Sequence, residues 1–115
     1  MNLLYAQGVD ASMLLYDFEG FELLPGDFVR AQFRLGLFDD PVAEVGQRSV
    51  TAQVDAAAQT ILVKIPEAVN VLWQPTLPEF PVYTTLLVIG ADSQHRLAIE
   101  VSMLWRASFT RGPGI

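Results

Sequence analysis

Cysteine is absent from this chain, and basic side chains are few. The 115 residues include no cysteine, one histidine, 7 lysines and arginines, and 13 aspartates and glutamates, and the net charge is −6. Without thiols the chain forms no disulfide bond and no thiolate metal site, so packing must stabilise the fold. Without a basic surface it cannot neutralise phosphates, and we therefore expect neither nucleic acid nor an anionic membrane as a partner.

Long hydrophobic runs are also missing. The longest one, residues 84–91, is far shorter than the roughly 20 apolar residues that a membrane-spanning helix needs. The first residues, from Met1 to Tyr5, lack the basic region and the long apolar segment of a signal peptide. We therefore expect the protein to be made and folded in a cytoplasm.

Apolar side chains are abundant. Hydrophobic residues make up 51% of the chain and charged residues 17%, below the usual charged share of about 25%. The length suits one domain. The low charge has two interpretations, a well-filled core or an apolar surface that a partner covers.

The clearest pattern lies near the C-terminus, where every second residue from Leu97 to Phe109 is apolar and most of the residues between are polar. Successive side chains of a strand point to opposite faces, so this pattern predicts a long strand with one buried and one exposed face. Such strands are typical of an antiparallel sheet that packs on another layer.

The rest of the chain predicts short strands joined by turns. Strands are expected over residues 12–18, 28–35, 48–55, 60–65 and 82–89. A short helix is expected within residues 66–73, because Pro66 suits a first helical turn and Pro75 prevents a long continuation. The pattern predicts an all-β sandwich of about seven strands with one short helical turn. We expect an N-terminal arm or edge strand over residues 1–11 and a single sandwich domain over residues 12–115.

Three sets of side chains invite a chemical interpretation. His95 is the sole histidine, and neither the further ligands of a metal site nor an activated serine accompanies it. Asp39 and Asp40 have the residue type for calcium binding or glycoside hydrolysis but precede Pro41 without further oxygen ligands, which favours a solvated loop. Trp105 falls on the inward side of its strand, which favours the core over a sugar-binding surface. We expect no enzyme, no metal and no other cofactor.

The order of turns and strands resembles a known family. The Leu24-Pro25-Gly26-Asp27 turn precedes an alternating strand, and a hairpin over residues 50–65 leads into Pro66. The next strand contains Tyr83 and is followed by an Asp92-Ser93 turn. The last strand ends at Phe109-Thr110-Arg111. This order, over residues 20–111, is similar to the immunoglobulin-like β-sandwich domains of tailed-bacteriophage minor tail, tail-fibre and upper-baseplate proteins. The resemblance implies an immunoglobulin-like antiparallel sandwich without catalytic residues.

The resemblance also implies a function. We expect a non-enzymatic structural protein of a phage virion, in the tail, baseplate or fibre-attachment region, made in the host cytoplasm. It would contact other virion proteins and copies of itself, as a homo-oligomer. The alternatives are a head–tail neck or capsid decoration protein, or a binding or adhesin module outside any virion.

Candidate contact residues come from three segments. The C-terminal tail, residues 110–115, is one of them. The second is the N-terminal arm, with Leu3, Leu4 and Tyr5. The third is the proline-rich loop from Trp73 to Pro81, with Trp73, Leu77 and Phe80.

Overall fold

The computed structural model describes residues 5–107, so Leu3, Leu4 and the C-terminal tail lie outside the described part. Within it the chain forms eight strands and one helical turn. They are β1 (Tyr5–Ala6), β2 (Ala11–Leu15), β3 (Phe28–Arg34), β4 (Ala43–Glu44), β5 (Thr51–Asp55), β6 (Thr60–Ile65), α1 (Glu67–Asn70), β7 (Glu79–Ile89) and β8 (His95–Arg106). No helix in residues 5–107 is long and apolar enough to cross a membrane.

The strands form two sheets that pack face to face. One sheet has the order β1-β8-β7-β3-β4, and the other has the order β2-β6-β5. Neighbouring strands are antiparallel, except that β1 runs parallel to β8. Strands 3, 7 and 8 in one sheet and strands 2, 6 and 5 in the other reproduce the order of an immunoglobulin-like sandwich, with β4 added as in variable-type domains. The predicted fold class is confirmed.

The last strand follows the alternating pattern seen in the sequence. Met103 and Trp105 are buried against the other sheet, whereas Glu100 and Arg106 are exposed. β8 pairs along its length with β7 and so holds the centre of the larger sheet together. Phe109, the last residue of the predicted alternation, lies outside the described residues.

Hydrogen-bonded turns precede β3 and join β7 to β8. The Asp27 N–H donates to the Leu24 carbonyl over 3.1 Å, and Gly26 has φ +89°, as the second central residue of such a turn requires. Residues 90–94 connect β7 to β8, and the Ser93 N–H donates to the Gly90 carbonyl over 2.9 Å. The predicted turns at residues 24–27 and 91–94 are confirmed.

Some element boundaries differ from the predictions. β5 starts at Thr51 instead of residue 48, because Arg48 and Ser49 have left-handed backbones, with φ +49° and +66°, that do not fit a strand. β7 starts at Glu79 and includes Pro81, which the sequence placed in a loop. β3 ends opposite Tyr83, so this part of β7 lacks a β3 neighbour and tolerates proline as a sheet edge does.

An aromatic cluster fills one end of the core. The Trp105 ring lies 5.4 Å from that of Tyr5, 4.8 Å from that of Trp73 and 6.5 Å from that of Phe80, measured between centroids. These rings come from β1, β7, β8 and the segment after α1, so the cluster joins elements far apart in the sequence. Aromatic pairs at such distances contribute about 0.5–1.5 kcal/mol beyond the burial of their area.

A buried asparagine fastens the N-terminal segment to α1. The Asn70 Oδ1 accepts a hydrogen bond from the Gly8 N–H over 2.9 Å, and its Nδ2 donates to the Val9 carbonyl over 2.9 Å. The Gln7 Nε2 donates to the Asn70 carbonyl over 2.8 Å. The Asp10 carboxylate accepts from the Glu67 N–H over 2.8 Å, at the start of the helical turn. Residues 7–10 are therefore part of the folded body.

Candidate functional site

The side of the larger sheet that faces away from β2, β6 and β5 carries a mixed row of polar and apolar side chains. We call it the outer face. Since Val29, Ala31 and Phe33 of β3 point into the core, the residues between them point outwards. The register extends the outer face across the sheet to Phe28, Arg30, Gln32 and Arg34 of β3, Glu44 of β4, Glu79, Pro81, Tyr83, Thr85 and Leu87 of β7, and Ala98, Glu100, Ser102, Leu104 and Arg106 of β8.

The arginines of β3 and the glutamate at the centre of β8 lie on opposite sides of β7 on the outer face. Gln32, Thr85 and Glu100 form one row across β3, β7 and β8. Arg30 lies on β3 one row to one side, and Arg34 lies one row to the other side. Glu100 is therefore level with the midpoint between Arg30 and Arg34, and β7 separates Glu100 from both arginines. Half-buried side chains of β7 lie in the centre, so the face has an apolar middle between opposite charges.

Among residues 5–107, the loop between β3 and β4 carries the most exposed aromatic side chain. Phe38 is 99% exposed and its neighbour Leu37 is 65% exposed. We call these two residues the apolar tip. Leu37 lines a shallow depression of the outer face together with Tyr83 and Ser102, so the apolar tip lies at the end of that face.

Hydrogen bonds fix the backbone that carries the apolar tip. The Asp39 N–H donates to the Gly36 carbonyl over 3.1 Å, which closes a turn around Leu37 and Phe38. The Arg34 Nε donates to the Asp39 carbonyl over 3.1 Å, and its Nη2 donates to the Gln32 side chain. Arg34 therefore joins the loop to the outer face. The two apolar side chains are presented by an ordered turn.

The contact residues predicted from the sequence occupy different environments. Trp73 and Phe80 are buried in the core, so the expectation that both lie on a contact surface is corrected for the folded chain. Tyr5 is partly buried against Trp105. Leu77 is 58% exposed, and Leu3 and Leu4 lie outside the described residues. The proline-rich loop thus offers Leu77 at the surface but keeps its aromatic rings inside.

Burial of Tyr5 gives a prediction about pH. Desolvation raises the pKa of the Tyr5 phenol above its usual value of 10.0. The unfolded chain therefore releases this proton first, and stability falls as the pH rises from the unfolded pKa through the folded one. We expect Tyr5→Phe to remove that part of the decline, which is at most about 1.4 kcal/mol per pH unit for one group. Urea unfolding of both proteins between pH 8 and pH 11 measures it, and equal slopes would contradict it.

The residues considered for chemistry do not assemble into a site. His95 is exposed at the start of β8, and Asp39 and Asp40 are exposed in the loop of the apolar tip. Within residues 5–107, no three histidines or acidic residues lie close enough to hold a metal ion. Trp105 is fully buried, as its place in the alternating pattern predicts.

Two loops and the start of β8 meet at the opposite end of the sandwich. The Gln59 side chain accepts from the Leu23 N–H and donates to the Leu23 carbonyl, each over 2.8 Å, which ties the β5–β6 loop to the β2–β3 loop. Arg96 of β8 forms an ion pair with Asp27 and donates to the Glu22 carbonyl over 3.0 Å. These contacts make this end of the sandwich well ordered. Tyr16 is exposed there beside a shallow pocket.

Comparison with known proteins gives no relative. No protein-family model matches the chain, and neither the curated proteins nor the solved structures contain a significant match. A function must therefore be inferred from the surfaces of the molecule.

The sequence analysis missed the apolar tip and the charge arrangement of the outer face. The signal for the tip was two consecutive apolar residues, Leu37 and Phe38, between Gly36 and two aspartates. A turn-forming glycine followed by exposed apolar residues is a pattern that a buried strand would not show. The charge arrangement had no local signal, because it depends on the register between β3, β7 and β8.

Proposed function

We propose that this protein is a non-enzymatic structural module that acts through protein–protein contacts, as a component of the tail, baseplate or fibre-attachment region of a tailed phage. The apolar tip is the single observation that carries the contact function. A phenylalanine that is 99% exposed beside a leucine that is 65% exposed leaves a large apolar area in water. Exposed apolar patches of this kind mark contact sites on protein surfaces.

The energetics of the apolar tip support binding by insertion. Full burial of a leucine or phenylalanine side chain stabilises a complex by roughly 1.5–3 kcal/mol. The turn around Leu37 and Phe38 is already closed by hydrogen bonds of Asp39 and Arg34, so binding costs little loop entropy. An ordered tip with two apolar side chains suits a complementary apolar pocket in a neighbouring protein.

The virion part of the proposal is supported by the order of turns and strands. The Pro25-Gly26 turn, the helical turn after Pro66 and the Asp92-Ser93 turn follow one another as in the phage domains that the sequence resembles. Repeated copies in a virion convert weak single contacts into strong attachment. A small sandwich with a presented tip is suited to that repeated use.

The test is incorporation into particles assembled from the genome that encodes the chain. The paired change Leu37→Ser and Phe38→Ser is expected to reduce the amount of this protein in purified particles by about tenfold or more, since each lost contact weakens binding by over 1 kcal/mol. Both side chains are exposed, so the free energy of unfolding should stay within about 0.5 kcal/mol of wild type. Quantitative mass spectrometry of particles and urea unfolding measure the two effects.

A matched control uses an exposed leucine elsewhere. Leu72 follows α1 and is exposed, and Leu72→Ser should leave incorporation unchanged. Full incorporation of the paired tip variant would contradict the role of the tip. Absence of the wild-type protein from particles would contradict the virion proposal. It would favour a binding module outside any virion, an alternative supported by the two hydrogen-bonded loops beside Tyr16 at the other end of the sandwich.

A further inference from the structure

The outer face is electrically neutral, although the chain as a whole carries a net charge of −6. Its basic side chains are Arg30, Arg34 and Arg106, and its acidic side chains are Glu44, Glu79 and Glu100. Three positive and three negative charges cancel. The excess negative charge therefore lies on other surfaces, where it opposes the approach of a second copy. Contact through the outer faces therefore brings no net charge of these side chains together.

The arrangement of charges is self-complementary as well as neutral. On one side of the face β3 carries Arg30 and Arg34, and Glu44 of the neighbouring β4 lies level with Gln32 between them, so two arginines against one glutamate leave one positive charge. On the other side, at the same level, β8 carries Glu100, with β7 in the middle. A two-fold axis that runs parallel to β7, above the face, places β3 of one copy over β8 of the other. Glu100 of each copy then lies opposite the gap between Arg30 and Arg34 of the other, because Glu100 is level with Gln32.

The middle of the face suits such a contact. Tyr83 and Leu87 are half-buried on β7, and Leu104 of β8 is partly exposed. Under the same axis β7 of one copy packs on β7 of the other, so these apolar side chains cover each other. An apolar centre with charged residues at its rim is the usual composition of a protein interface.

We propose that the outer face forms a two-fold symmetric interface between two copies of this chain, with Glu100 of each copy paired to Arg30 and Arg34 of the other. This inference rests on the proposed function, since it names a second copy as one of the contacts. It assigns the outer face and Phe38 to different tasks. The outer face, with Leu37 at its edge beside Tyr83, joins copies, and the exposed Phe38 reaches a different neighbour.

Charge reversal with exchange tests the pairing. In the symmetric dimer, Glu100→Arg places like charges opposite each other at both copies of the contact, and Arg30→Glu does the same. The dimerisation affinity of each variant alone should therefore be about tenfold or more below that of wild type. An equimolar mixture of the two variants should dimerise again, because each Arg introduced at position 100 then faces a Glu introduced at position 30. The chain with both changes should also dimerise. Sedimentation equilibrium over a concentration series measures all four.

The controls carry the same charge changes away from the outer face. Glu19→Arg lies in an exposed loop, and Lys64→Glu lies on the exposed side of β6. Both should dimerise like wild type. Circular dichroism and thermal unfolding verify that every variant is folded.

Each outcome decides the inference. A wild-type chain that stays monomeric, single variants that still dimerise, or a mixture that stays monomeric would each overturn it. None of these results contradicts incorporation into particles, which is measured separately by mass spectrometry of particles. Loss of incorporation with an intact dimer would support both the proposed function and the separate task of Phe38.

Discussion

Replacement of Trp105 by alanine is expected to lower the free energy of unfolding by about 3–5 kcal/mol, the usual loss for truncating a buried tryptophan. Trp105 is 0% exposed, stacks with Tyr5 and Phe80, and packs edge-to-face against Trp73. The alanine leaves a cavity at the point where β1, β7, β8 and the segment after α1 meet. Domains of this size are stable by about 5–15 kcal/mol in total, so the loss is a large fraction.

Urea unfolding followed by far-ultraviolet circular dichroism measures the loss, because the signal does not depend on tryptophan fluorescence. Trp105→Phe should cost less, since an aromatic ring still fills most of the site. The buried indole N–H of Trp105 has no acceptor within residues 5–107, so the phenylalanine gives up no hydrogen bond there. Leu104→Ala, at the partly exposed neighbouring position, serves as the control. Equal losses for Leu104→Ala and Trp105→Ala would contradict the central position of the aromatic cluster.

The strands with strict alternation were predictable from local sequence. The pattern around Met103 and Trp105 and the pattern around Val29 and Phe33 each specify one buried face, and a slip by one residue would expose that face. The turn at Pro25-Gly26 was predictable for the same reason, because proline and glycine fix its backbone. Together these signals suffice for the fold class.

The environment of the tryptophan at position 73 was not predictable. It follows a short helix and precedes prolines, which favours an exposed loop, yet the ring is buried against Trp105. The contact joins residues 32 positions apart, as the difference between 105 and 73 shows. Local pattern carries no information on such a contact. The two-residue strand β4 was not predicted for a similar reason, because it is defined by its pairing with Gln32 and Phe33 of β3.

The candidate site needed the register as well. Arg30, Arg34 and Glu100 lie far apart in the sequence, and their common level on the sheet follows from the pairing of β3 and β8 with β7. A single sequence gives no covarying positions from which to infer that pairing. Surfaces made by several strands are therefore the part of the molecule that only a three-dimensional description supplies.

The second large effect concerns Asn70, which is 0% exposed and holds Gly8 and Val9 through its side chain. Asn70→Ala is expected to cost about 3 kcal/mol, because the Gly8 N–H and the Val9 carbonyl each lose their side-chain partner. The loss should loosen residues 8 and 9 against α1, while the contacts of Gln7 with the backbone carbonyl of residue 70 and of Asp10 with Glu67 remain. Hydrogen exchange at the Gly8 amide and urea unfolding measure the two consequences, and an unchanged Gly8 amide would contradict this role.

Asn70→Asp separates the hydrogen bonds from the shape of the side chain. A protonated aspartic acid still accepts from the Gly8 N–H and donates to the Val9 carbonyl, whereas the carboxylate repels that carbonyl. Burial and this repulsion raise the pKa of the introduced carboxyl in the folded state above its unfolded value of about 3.9. Its stabilising contribution is therefore complete below the unfolded pKa and is lost as the pH rises through the folded pKa. The variant should approach wild-type stability near pH 4 and fall below it by several kcal/mol at pH 7, while the deficit of Asn70→Ala stays constant. A deficit of Asn70→Asp that does not change between these pH values would show that the carboxyl is solvated and that residues 7–10 are not packed over it.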